Sequence, residues 1–86
     1  MKKISYNQNK NVIHNRLRHY RELRGLSQGA LAAQMQVMNV NMDQQMLSRI
    51  ENNQRIVTDY ELACLCQILK VSEQELLSDF YESLSQ

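Results

Sequence analysis

A helix stop and a helix start lie two residues apart in this chain, at Gly25 and Ser27. Glycine readily adopts the left-handed conformation in which many helices end, and a serine hydroxyl can accept a hydrogen bond from a free amide of the next helix. Because only Leu26 separates the two signals, the helices on either side must meet at a sharp angle. Apolar residues at helical spacing flank this point. They are Ile13, Leu17, Tyr20 and Leu23 before the stop, and Ala30, Leu31 and Met35 after it.

Three further helix starts follow along the chain. Asp43 can cap a third helix that ends near residue 51 or 52, and residues 36–42, which include two asparagines, are predicted as a loop. Thr58 and Ser72 are each followed three residues later by Glu, which is a capping box, so they predict a fourth helix to about Lys70 and a fifth from Ser72. With no proline and two glycines, the chain lacks the turn residues of β-hairpins. We therefore predict an all-α fold, a compact five-helix bundle over residues 11–86, preceded by a flexible basic arm at residues 1–10.

Charge is distributed unevenly along the chain. The net charge is +6 over residues 1–26, zero over residues 27–57 and −5 over residues 58–86. A basic end suits a polyanionic partner, and the acidic end would be held away from it. The alternative is that both ends are ordinary solvated surfaces.

The third predicted helix has one apolar side and one polar side that carries few charges. The apolar positions are Met46, Leu47 and Ile50, and the polar positions are Gln44, Gln45, Ser48, Arg49 and Asn52. A merely solvated helix usually carries Glu and Lys, which keep a surface soluble and pair along the helix. Glutamine and arginine instead make paired hydrogen bonds to adenine and guanine edges. This face is consistent with base reading, although glutamine is also a common surface residue.

Two stretches in order make the pattern more specific. RELRGLSQGALA at residues 21–32 and DQQMLSRIENNQR at residues 43–55, closed by KVSEQELL at residues 70–77, resemble the helix-turn-helix domain of the lambdoid phage repressor and Cro family. The same domain occurs in regulators of the xenobiotic-response-element type. The resemblance implies a sequence-specific transcriptional regulator, a repressor, whose second helix crosses the DNA backbone and whose third helix enters the major groove.

The resemblance also assigns roles to individual positions. Gln44, Gln45 and Arg49 match base-reading positions. Arg21 and Glu51 match an ion pair that ties the first helix to the end of the third. The positions that match phosphate contacts are Gln28, Ser48, Asn52, Gln54 and Arg55.

One departure from the family pattern lies between the second and third helices. The connection is five residues longer than usual, and Gln36 stands where the family commonly has glycine. The longer loop could project towards the DNA backbone, or it could pack as an apolar flap through Val37, Val40 and Met42. The docking angle on DNA depends on which of these occurs.

The acidic last third of the chain offers an alternative function. Leu76 and Leu77 are expected in the core, and Phe80, Tyr81 and Leu84 form an apolar stripe that could bind a foreign partner helix. The same stripe could join two copies of the chain, which we favour. A homodimer would read a palindromic operator with half-sites about 34 Å apart on double-stranded DNA.

Other functions find little support in the sequence. His14 and His19 lie about 140° apart around a helix, and Cys64 and Cys66 about 200° apart, so neither pair suits a metal ion. The chain lacks a nucleophile–base set and a glycine-rich phosphate loop. We expect no enzyme activity, no metal and no cofactor. Free thiols and the lack of a long apolar segment predict a soluble protein of the reducing cytoplasm, with no membrane partner.

Overall fold

The computed structural model describes residues 5–85, which contain six helices and no strand. The all-α fold is confirmed. Four of the five predicted helices are present near their predicted positions, and the fifth is divided in two. The helices are α1 (His14–Leu23), α2 (Gln28–Val37), α3 (Gln44–Glu51), α4 (Asp59–Leu69), α5 (Glu73–Leu76) and α6 (Ser78–Leu84).

The predicted fifth helix breaks at Leu77, which ends α5 and precedes α6. Leu76 is fully buried and Leu77 is half-buried against the core. Adjacent residues of a straight helix point about 100° apart. The break at Leu77 therefore allows both side chains to reach the core, which the sequence pattern did not reveal.

The predicted helix starts are confirmed. Ser27 accepts a hydrogen bond from the Ala30 amide at 3.0 Å, and Asp43 accepts one from the Met46 amide at 2.8 Å. Both predicted capping boxes, at Thr58 and Ser72, are complete. Each cap satisfies an amide that has no partner within its own helix.

Four helices end with a residue in the left-handed conformation. These residues are Gly25 (φ 69°), Asn39 (φ 64°), Asn53 (φ 61°) and Lys70 (φ 58°). After α2, the Asn39 amide donates to the Gln36 carbonyl at 2.9 Å and the Val40 amide to the Met35 carbonyl at 3.0 Å. This is a Schellman ending, and asparagine is the non-glycine residue best suited to it. Asn39 thus ends α2 without the family's glycine.

The longer connection between α2 and α3 packs inward. Val40 is 5% exposed and Met42 is fully buried, whereas Val37 is 83% exposed. The Gln36 side-chain amide closes the loop by donating to the Met42 carbonyl at 2.9 Å. Of the two alternatives, the apolar flap is correct for Val40 and Met42, and Val37 is not part of it.

The core draws on α1 to α5 and on this loop. α3 packs against both α1 and α2, with Leu47 and Ile50 fully buried. Because these two side chains are anchored, the opposite side of α3 must face outward. The buried apolar cluster is Ile13, Leu17, Leu31, Met35, Val40, Met42, Leu47, Ile50, Leu65, Cys66, Leu69 and Leu76.

Residues 5–10, within the predicted arm, lie against the rest of the chain. Tyr6 and Asn9 exchange backbone hydrogen bonds of 2.8 Å across a tight turn, and the Tyr6 ring packs edge-on against Phe80 with centroids 5.4 Å apart. Lys2 and Lys3 lie outside the described residues. The flexibility of the arm in solution stays a prediction.

Within residues 5–85, every helix is too short or too polar to cross a bilayer.

Candidate nucleic-acid interface

The outer face of α3 carries hydrogen-bonding side chains that the protein itself does not use. Gln44, Gln45 and Arg49 are exposed, and within residues 5–85 their side chains make no hydrogen bond to another protein group. Ser48, on the same face, is half-buried and accepts a hydrogen bond from the Asn52 amide at 3.4 Å. Three side chains, which carry both donors and acceptors, are therefore available to an external partner.

The start of α2 lies beside the start of α3. A Cβ placed on Gly29 would come within 3.5 Å of the Gln44 side-chain oxygen. Ser27 caps the Ala30 amide, so the amides of Gln28 and Gly29 remain without a partner in the helix. Free amides at a helix start favour an anion. The two helix starts thus present an anion-binding end and a polar face on the same surface.

A buried ion pair fixes α3 relative to α1. Arg21 Nε lies 2.6 Å from Glu51 Oε2, and Arg21 Nη2 lies 3.0 Å from Glu51 Oε1. Arg21 also donates to the Leu26 carbonyl at 2.8 Å, so it holds the turn between α1 and α2 as well. The hydrogen bonds to Glu51 raise the pKa of the Arg21 guanidinium, which stays charged. Arg21 is buried and hydrogen-bonded within the protein, so it is not available to DNA.

Gln28 joins this ion pair. Its side-chain amide donates to Glu51 Oε1 at 3.1 Å. A primary amide has two N–H donors, so one remains for a phosphate oxygen. The residue can therefore support the ion pair and still make the phosphate contact that the resemblance implies.

Arg55 has a partner that the sequence did not indicate. Its Nη1 and Nη2 each lie 3.0 Å from a carboxylate oxygen of Glu61, and Nη1 also donates to the Ile56 carbonyl. Burial opposes ionisation of Glu61, but the hydrogen bonds from Arg55 and Thr58 outweigh it and lower the pKa of the Glu61 carboxyl. Arg55 is thus engaged as a structural cation. Its phosphate contact stays a prediction.

Two further residues predicted to contact phosphate, Asn52 and Gln54, directly follow α3. Asn52 and Gln54 are exposed on either side of Asn53, whose left-handed conformation ends the helix. The Asn53 side chain bonds to the backbone of Lys10 and to the side chain of Asn9, both at 2.8 Å. Sequence reasoning missed these links because they join positions more than 40 residues apart. The only sign of these links in the sequence is that an asparagine, Asn53, follows the end of the predicted third helix.

Each of the four arginines in residues 1–26 has a carboxylate or carbonyl partner within the fold. Arg16 bonds Asp79 of α6 at 2.9 Å, so the basic and acidic ends of the chain meet rather than lying apart. The hydrogen bond that Arg16 donates to Asp79 raises the pKa of the Arg16 guanidinium. Arg24 donates to the carbonyls that end α4. Within residues 5–85, the Lys and Arg side chains without a carboxylate or carbonyl partner are Lys10, Arg49 and Lys70.

The C-terminal stripe is only partly available to a partner. Phe80 is half-buried beneath Tyr6, whereas Tyr81 is 48% exposed and Leu84 is 56% exposed. A dimer contact through this stripe would therefore rest mainly on Tyr81 and Leu84. The joining of two copies through this stripe stays a prediction.

The cysteines are free thiols with different surroundings. Cys64 is half-buried and Cys66 is buried. Burial raises the pKa of the Cys66 thiol to about 11, so it is protonated at neutral pH. Such a thiol is a poor nucleophile and packs as a small apolar side chain.

The chain matches a known protein family. A family model described as Helix-turn-helix matches residues 17–76, from within α1 to the last residue of α5. The matched region contains the whole of α2 and α3 and both residues of the buried ion pair. No curated protein matches the sequence.

Proposed function

Since the chain belongs to the Cro/C1-type helix-turn-helix family of DNA-binding regulators, we propose that it is a sequence-specific repressor that reads the major groove with α3. The observation that carries this proposal is the exposed face of α3. Gln44, Gln45 and Arg49 are held outward by the burial of Leu47 and Ile50, and their polar groups are unused. An amide can pair with the N6 and N7 of adenine, and a guanidinium with the O6 and N7 of guanine.

The phosphate contacts of the proposal surround this face. Gln28, with a spare N–H at the start of α2, would hold one strand of the DNA backbone. Ser48, Asn52 and Gln54, along and after α3, would hold the backbone at the other end of the helix. Contacts at both ends fix the register of the reading helix in the groove.

The proposed form on DNA is a homodimer on a palindromic operator. Tyr81 and Leu84, with the edge of Phe80, supply the exposed apolar surface that supports this assignment. Repression would follow from occupancy, because a duplex held by the dimer is closed to other proteins.

Salt dependence of duplex binding tests the proposal. We expect log K to fall linearly with log salt, by about 0.9 for each phosphate that a Lys or Arg side chain neutralises. A mixed-sequence duplex and an uncharged polymer serve as the nonspecific and negative controls. No binding to duplex at low salt would overturn the proposal and would favour the protein-binding function, carried by Tyr81 and Leu84.

A further inference from the structure

Three asparagines fasten the N-terminal segment to the end of α3. Asn53 Oδ1 accepts hydrogen bonds from the backbone amides of Lys10 at 2.8 Å and Asn11 at 3.4 Å. Asn53 Nδ2 donates to Asn9 Oδ1 at 2.8 Å. We call these residues, Asn9, Asn11 and Asn53, the asparagine clasp.

Asn11 is the buried member of the clasp, at 8% exposure. Its Nδ2 donates to the carbonyls of Ile50 and Arg55, both at 2.9 Å, and its Oδ1 accepts from the Ile13 amide at 3.1 Å. All of its side-chain polar atoms are satisfied, so releasing this contact would leave buried polar groups unpaired. The segment before α1 is therefore held firmly on the last turn of α3.

Lys10 lies between two residues of the clasp, and its side chain is exposed. Its amide contacts Asn53, whose sequence neighbours Asn52 and Gln54 are proposed phosphate contacts. Arg21 and Arg55 are paired with Glu51 and Glu61, and Arg49, in the last turn of α3, is already proposed as a base-reading residue. Lys10 is thus an uncommitted cation beside the end of the reading helix.

On the basis of the proposed function, we infer that Lys10 is a further phosphate-contacting residue and that Asn53 positions it beside the α3 terminus. Lysine suits this role as a point charge on a flexible stem. The clasp contributes by ordering the backbone on both sides of Lys10, so that less freedom is lost when the ammonium group meets a phosphate. A positioning role of this kind predicts that Asn53 and Lys10 act on the same contact.

The test compares two matched substitutions. Asn53→Gly removes the side-chain hydrogen bonds of the clasp, and glycine tolerates the φ of 61° at this position. Asn39→Gly is the control, because it makes the same change at φ 64°. The Asn39 side chain is exposed and makes no hydrogen bond within residues 5–85. Lys10→Gln removes the charge directly. The readouts are duplex affinity from 50 to 200 mM salt and the exchange rate of the Lys10 amide.

We expect Lys10→Gln to reduce the slope of log K against log salt by about 0.9. Between 50 and 200 mM salt, the variant should therefore lose about 3.5-fold less affinity than wild type. Asn53→Gly should also reduce the slope and should speed exchange of the Lys10 amide, and Asn39→Gly should do neither. The double variant of Asn53→Gly and Lys10→Gln should have the slope of Lys10→Gln alone, because both changes remove one contact.

Two results would overturn the inference while leaving the proposed function intact. One is an unchanged slope in Lys10→Gln, and the other is additive slope changes in the double variant. A wild-type chain that binds no duplex would overturn the proposed function itself, and the role of Lys10 with it. The two failures are therefore distinguishable.

Discussion

Arg21 of α1 donates two hydrogen bonds, of 2.6 and 3.0 Å, to Glu51, the last residue of α3. The Glu51 side chain is 2% exposed and that of Arg21 is 10% exposed. Such a pair adds little net stability over apolar residues, but removal of one partner leaves the other charged group buried. The pair links α1 to the end of α3, the helix that carries the residues that we propose for base reading.

The first prediction concerns this pair. Glu51→Ala should lower the free energy of unfolding by about 3–5 kcal/mol, because Arg21 would lose its carboxylate while remaining buried. Urea unfolding followed by circular dichroism measures the change. Glu22→Ala is the matched control, since Glu22 is exposed and lies 3.8 Å from an exposed arginine. If Glu51→Ala unfolds at the same urea concentration as wild type, the pair does not hold α1 and α3 together.

The second prediction separates base reading from general affinity. Gln44→Ala, Gln45→Ala and Arg49→Ala should each reduce discrimination at a particular base pair, by about 1–3 kcal/mol where the contact is bidentate. Their unfolding midpoints should stay at the wild-type value, because the three side chains are exposed. Competition between the preferred duplex and its single-base variants is the measurement. Equal losses on preferred and random duplexes would reject the reading role.

The third prediction concerns the loop between α2 and α3. Met42→Ala should cost about 2–5 kcal/mol of stability, because Met42 is fully buried and its removal leaves a cavity. Val37→Ala should change stability by less than about 0.5 kcal/mol, since Val37 is 83% exposed. Val37 is the last residue of α2, and Met42 lies near the end of the connection that follows it. Similar small effects from both would mean that the loop is not part of the core.

The fourth prediction follows from the lowered pKa of Glu61. A carboxyl whose pKa is lower in the folded chain stabilises the fold above its unfolded pKa of about 4.3, and this contribution is lost as the pH falls through the folded pKa. Glu61→Gln should therefore melt at a lower temperature than wild type at pH 7. The difference should shrink as the pH falls below about 4.3. A difference in melting temperature that is the same at pH 7 and pH 3 would contradict the ion pair with Arg55.

The sequence was informative where structure depends on neighbouring residues. The caps at Ser27, Asp43, Thr58 and Ser72 are local hydrogen bonds, and each could be recognised from a few letters of sequence. The outward face of α3 was equally accessible, because a helical period determines which residues oppose a buried stripe.

Features that depend on distant contacts were not accessible. The sequence offered Arg55 as a free cation, whereas the fold brings Glu61 to it across the turn before α4. Asn11 and Asn53 are ordinary polar residues until the chain places them side by side. The break at Leu77 likewise arises from packing, since the helical pattern continues through it.

Selection of bound duplexes from a random pool tests the central claim, that the outer face of α3 reads base edges, most directly. The experiment is run with the wild-type chain and with Arg49→Ala. We expect wild type to enrich a short palindromic motif, and Arg49→Ala to enrich the same motif with preference lost at one symmetric pair of positions. No enriched motif with wild type, or an identical motif with both chains, would contradict the claim.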